Sequence, residues 1–131
     1  MIYLDSAAVV KLVHPEVETT ALTAWLAKRT ESPLVTSALA EVEVSRAIRR
    51  WAPNAVGRVA PVLAAVHRYE ITLAVRSAAA GLPDPLVRSL DAIHLATALQ
   101  LGSELDAFLS YDKRLLAAAE TAGLPVASPG A

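Results

Sequence analysis

The stretch Ile2-Tyr3-Leu4-Asp5-Ser6-Ala7-Ala8-Val9-Val10-Lys11-Leu12-Val13 decides how the chain is read. Its first three residues are an apolar run of strand length, and Asp5 follows directly. Ser6 to Val13 then has the pattern of a short helix, ended near Pro15. Further short apolar runs lie at Leu34-Val35, Ile71-Thr72-Leu73, Ala107-Phe108-Leu109 and Pro125-Val126-Ala127. Helical stretches separate them. One covers residues 16–29, with Pro15 suited to a first-turn position. Another runs from a cap at Ser37 to about Trp51. After Pro53 and Gly57 come helices over about 58–69 and 74–80, the latter closed by Gly81 and Pro83. Ser89 to Leu101 stops at Gly102, and Asp112 to Ala122 stops at Gly123 and Pro125. Short apolar strands alternating with helices imply a mainly parallel sheet covered on both faces. The expected fold is therefore an α/β sandwich, α/β/α in layers, with about five short strands.

With 131 residues, 54% hydrophobic and 19% charged, the chain is one domain's worth of sequence and long enough to bury a core. The absence of cysteine excludes disulfides, zinc–thiolate sites, iron–sulfur clusters and thiol nucleophiles. The longest apolar runs are a few residues, whereas a membrane span needs roughly 18 or more. The opening residues have neither the basic nor the apolar region of a signal peptide. A cytosolic location is the expectation. Net charge is −1, but it is unevenly spread. Residues 44–90 carry Arg46, Arg49, Arg50, Arg58, Arg68, Arg76 and Arg88 against only Glu70 and Asp84. Arginine matches phosphate oxygens in a fork, so this basic middle suits a nucleic acid as well as a solvated helix face.

In open α/β sheets, sites form beyond the carboxyl ends of the strands. Asp5 and Asp112 directly follow apolar strand signals there. Asp91 starts the apolar helix Ala92–Leu101, and Glu41 and Glu43 lie near the start of the helix after the second strand. Each acid alone has an ordinary explanation: a cap, a partner for a helix N-terminus, a strand end or a solvated side chain. Together they form a set of like charges that a hard divalent cation would reconcile, and Mg²⁺ and Mn²⁺ prefer such oxygen ligands. Glu41 and Glu43 flank the apolar stripe Ala40, Val44, Ala47, Ile48 and Trp51 on opposite sides, about 200° apart, so periodicity does not choose between them. Arg46, Arg49 and Arg50 lie away from that stripe. His94 in its apolar helix, and Trp25 and Trp51 at helical spacing, read as packed residues.

Four segments carry a family resemblance. They are Ile2-Tyr3-Leu4-Asp5-Ser6-Ala7-Ala8, Ser37-Ala38-Leu39-Ala40-Glu41-Val42-Glu43-Val44-Ser45-Arg46-Ala47, Leu90-Asp91-Ala92-Ile93-His94-Leu95-Ala96-Thr97-Ala98 and Ser110-Tyr111-Asp112-Lys113-Arg114-Leu115. In order and spacing the chain resembles a PIN domain, and specifically a VapC-type toxin of bacterial toxin–antitoxin pairs, over residues 1–131 as a single domain. The resemblance implies a ribonuclease in which Asp5, Glu43, Asp91 and Asp112 bind one or two Mg²⁺ or Mn²⁺ ions, with motif register favouring Glu43 over Glu41. Read from the residues, Ser6 and Ser110 suit orienting the Asp carboxylates and local capping equally, and the Arg-rich middle, with Arg46, Arg49 and Arg50, would position RNA phosphates. The resemblance further implies a VapB-type antitoxin as partner and a homodimer.

Two other readings compete. In one, the domain chiefly joins its antitoxin in promoter repression, with little nuclease turnover; an intact set of four acids weighs against it. In the other, the chain is a phosphate-transferring α/β enzyme of the haloacid dehalogenase or receiver type. The former needs a second Asp where Ala7 stands, and the latter an acidic pair at the first strand.

Overall fold

A computed structural model describes all residues, Met1–Ala131. Its centre is a five-stranded sheet, parallel at every pairing, in the order β3-β2-β1-β4-β5. The chain runs β1 (Ile2–Leu4), α1 (Ser6–Val13), α2 (Thr19–Ala27), β2 (Leu34–Ser37), α3 (Leu39–Trp51), α4 (Val59–Ala64), β3 (His67–Tyr69), α5 (Leu73–Ala80), α6 (Ser89–Leu99), β4 (Ala107–Leu109), α7 (Lys113–Thr121) and β5 (Val126–Ala127). A 3₁₀ segment, Pro53–Arg58, leads into α4. No helix is long and apolar enough to cross a membrane.

The strand pleat sends successive side chains to opposite faces, and two cores result. Ile2 and Leu4 of β1 and Leu109 of β4 join a 15-residue cluster with α1, α3 and α4. Tyr3 and Phe108, between them in sequence, point the other way into a cluster with Leu95, Ala98, Leu115 and Ala119 from α6 and α7. Their rings stack at 5.4 Å between centroids. This two-sided burial explains why β1 and β4 are apolar at every position.

The outer strand β3 departs from expectation. The apolar run Ile71-Thr72-Leu73 is not a strand: Thr72 caps α5 by accepting from the Val75 amide, and Leu73 opens that helix. The strand is instead His67-Arg68-Tyr69, paired in register with Val35, Thr36 and Ser37. His67 and Arg68 are exposed, so this edge strand has no need of an apolar sequence. The helix expected over 58–69 shortens accordingly.

Helix α2 also starts later than residue 16. Glu16 and Glu18 precede it and turn back to the buried Lys11, each at 2.9 Å, while the Thr19 hydroxyl accepts from the Glu16 amide. Burial alone would lower the Lys11 pKa, but the two carboxylates hold it above its usual value. Ser37 sits inside β2 rather than at the α3 N-cap, although its hydroxyl accepts from the Leu39 amide.

On α3 the apolar stripe is buried at Ala40, Val44 and Ile48 but not at Trp51, which is 74% exposed, with Arg50 over its ring. The core continues past Ile48 through Ala52 and Ala55, so the side of α3 that Trp51 occupies faces solvent and Trp51 is not a packed residue. Trp25, by contrast, is partly buried against the larger core. Ile48→Ala should therefore cost about 2–5 kcal/mol of unfolding free energy in urea titrations. Trp51→Ala should change it by no more than about 0.5 kcal/mol.

Candidate metal centre

The strand order reverses direction between β1 and β4, and the carboxyl ends of those two strands form a switch point of the kind that holds ligands in open α/β sheets. Asp5 stands there as the N-cap of α1. Its Oδ1 accepts from the Ala8 amide at 2.9 Å and its Oδ2 from the Ser110 hydroxyl at 2.5 Å. Ser110, at the end of β4, also accepts from the Asp112 amide, so one buried hydroxyl ties the two strand ends together. Asp112 caps α7 through the Arg114 and Leu115 amides and remains exposed. Asp91 lies in the first turn of α6, whose residues Ala92 and His94 to Ala98 are buried as its apolar sequence suggested. Asp91 and Asp112 line one cleft with Arg88, Lys113 and Arg114.

Glu43 is the acid that α3 turns toward this region. Its Oε1 accepts from the Ser6 hydroxyl at 2.7 Å and meets His94 Nε2 at 2.8 Å. Glu41 is exposed and faces Arg68 at 3.6 Å. Ser6 thus serves Glu43 rather than an aspartate, whereas Ser110 serves Asp5. His94 is buried, as an imidazole in an apolar helix should be, but it is not merely packed. Its second nitrogen, Nδ1, lies 2.7 Å from the Tyr3 hydroxyl. Position alone did not reveal that role, since the partners come from β1, α1 and α3.

Arg46, Arg49 and Arg50 are all exposed. Arg49 lines a separate groove with Glu41, Ser45 and Arg68, and Arg50 covers Trp51. The cations in the cleft of Asp91 and Asp112 are instead Arg88, Lys113 and Arg114. Their nearness in sequence to those two acids was a signal available beforehand.

Asp91 links the acids electrostatically. Burial pushes the Asp5 carboxyl above the usual range against its hydrogen bonds, and the charge of Asp91 adds to the push. Asp91 is raised by burial, then by the charges of Asp112 and Glu43. For Glu43 burial acts upward too, but the hydrogen bonds from His94 and Ser6 prevail and hold its pKa low. Both His94 nitrogens are engaged, so the donors open to a cation are oxygens, the set that Mg²⁺ and Mn²⁺ favour. No three acidic or imidazole side chains stand close enough together to hold a metal ion directly. Mg²⁺ does not need three, because it binds through one or two carboxylates and keeps several waters. The residues present fit such an ion.

A carboxyl with a raised pKa favours the fold when protonated. Its contribution is full below the unfolded carboxylate pKa and is lost as pH rises through the folded one. Asp5→Asn stays neutral at every pH. In EDTA it should melt above the unmodified protein at pH 7, and the gap should close as pH falls through the carboxylate range. Thermal denaturation at stepped pH measures this; a gap that widens on acidification would contradict the burial argument.

Comparison with known proteins agrees with the geometry. The PIN domain profile matches residues 2–121. The chain is 53% identical over 132 residues to Ribonuclease VapC35 of Mycobacterium tuberculosis strain H37Rv, covering 99% of this chain and 98% of that protein. It is 43% identical over 128 residues to Ribonuclease VapC46 of the same strain, covering 98% and 97%. To Ribonuclease VapC47 of strain CDC 1551 it is 40% identical over 134 residues, covering 100% and 98%. With a match over nearly its whole length and carboxylates gathered at the switch point, the chain belongs to the PIN domain family, in its VapC group.

Proposed function

We propose that this protein is a Mg²⁺- or Mn²⁺-dependent endoribonuclease, the toxin of a VapBC-type pair. The observation that most supports this is the carboxylate set at one edge of the sheet, in which the charges of Asp112 and Glu43 act on Asp91 and that of Asp91 on Asp5, with only oxygen donors open to a cation. Asp5, Glu43, Asp91 and Asp112 would hold the ion, directly or through water. When bound, it lowers the pKa of water and neutralises charge on phosphate oxygens.

The chain's own residues supply position. Ser110 and the Ala8 amide fix both oxygens of Asp5. Ser6 and His94 fix one oxygen of Glu43. Arg88, Lys113 and Arg114 supply positive charge in the cleft where a phosphate would approach Asp91 and Asp112. Arg46, Arg49 and Arg50 extend basic surface along α3 for flanking phosphates. A VapB-type antitoxin is the proposed partner, a homodimer the proposed assembly and the cytoplasm the proposed location.

The test is cleavage of RNA by the purified protein with Mg²⁺ or Mn²⁺, with EDTA, and with Asp91→Asn. Cleavage should require the metal. It should fall in the folded variant by more than the roughly 10–100-fold that loss of an outer metal-site partner costs. Full activity in folded Asp91→Asn would overturn the mechanism.

A further inference from the structure

The buried chain Tyr3–His94–Glu43 is more than core packing. We infer that Tyr3 and His94 are positioning residues that fix one oxygen of Glu43 and leave the other for the cation. The inference rests on Glu43 as a cation ligand.

His94 Nε2 stands 2.8 Å from a carboxylate oxygen. Two lone pairs at that distance would repel, so Nε2 carries the proton and donates it to Glu43 Oε1. Ser6 donates to the same oxygen at 2.7 Å, and its own oxygen lies 3.0 Å from Nε2. Oε1 is thereby taken up by two donors, while Oε2 accepts no hydrogen bond from the protein. A carboxylate held in this way presents one free oxygen in a fixed direction.

What keeps the proton on Nε2 is the far side of the ring. The Tyr3 hydroxyl is 2.7 Å from Nδ1 and can donate there, which pairs with a proton on Nε2. Tyr3 is itself immobile: it is fully buried in β1, stacked on Phe108, with the His94 ring edge-on at 5.9 Å. Position 3 therefore reaches the site through the sheet's opposite face. Its neighbours Leu4 and Asp5 continue the strand to the carboxyl end, while Tyr3 fixes the ligand contributed by α3.

The experiment is ¹⁵N-resolved NMR of the metal-free full chain, with His14 and His67, the only other histidines, replaced to isolate His94. The expected state carries a proton on Nε2. Tyr3→Phe keeps the stacked ring and removes only the hydroxyl, and it should abolish that preference. Its Mn²⁺ affinity, measured by calorimetry, should fall about 10-fold or more, as should kcat for RNA cleavage, with KM for RNA unchanged. His94→Gln restores a donor near Nε2 and should retain more Mn²⁺ affinity than His94→Leu.

A proton on Nδ1 with none on Nε2 in the unmodified protein overturns the inference. So does a folded Tyr3→Phe variant with unchanged tautomer and unchanged Mn²⁺ affinity. Should the unmodified protein neither bind Mn²⁺ nor cut RNA, the metal-ribonuclease reading fails. The tautomer comparison, made without metal, then decides by itself whether Tyr3 sets the His94–Glu43 contact.

Discussion

The buried carboxylate of Asp5 is the constraint around which the rest of the molecule is arranged. A charged group shut away from water is costly unless its oxygens are satisfied, and here an amide and a hydroxyl satisfy them. The amide comes from the first turn of α1, so the strand must end and a helix begin at that residue. The hydroxyl comes from Ser110, so β4 must lie directly beside β1 and end at the same level. Ser110 in turn holds the Asp112 amide, which sets the start of α7. One acid thus determines the meeting point of two strands and two helices. Its remaining need, relief from the charges around it, is what a cation would meet.

Around that point the site is built from elements far apart in the chain. α3 contributes Glu43, and α6 contributes Asp91 and His94. The opposite burial of alternate β1 residues lets the strand do two tasks. Ile2 and Leu4 anchor α1 and α3, and Tyr3 anchors α6 and α7. The carboxylates are held by both layers of helices, so the site depends on the packing of each against the sheet.

Much of this was legible in the sequence, and the physical reason is burial. Ile2–Leu4 and Ala107–Leu109 are covered on both faces and therefore read as unbroken apolar runs. The acids following them mark the strand ends. β3 was not legible because it lies at the edge, where exposure removes the requirement for apolar residues, and the nearby run Ile71–Leu73 belongs to a helix start. Trp51 misled because the i+3 and i+4 positions after Ile48 both border the apolar stripe, and the core takes Ala52 rather than Trp51. Glu41 and Glu43 could not be separated by periodicity, since both border the stripe. Only the presence of Ser6 and His94 on one side distinguishes them in three dimensions. Arg88 belongs to the basic middle, but Lys113 and Arg114 lie outside it, and charge density singles out the crowded arginines of α3 rather than the few cations beside the acids.

The polar character of β3 also bears on how the protein behaves among its own copies. A sheet edge offers unpaired backbone groups on which another chain can extend the ladder. At one margin of this sheet the exposed strand is three residues long and carries His67 and Arg68. At the other, β5 is only two residues long. Both margins are too short, and one is too polar, to template further strand addition. The same substitution pattern that hides β3 from a hydropathy reading protects a highly apolar chain from amyloid-like growth at its edges.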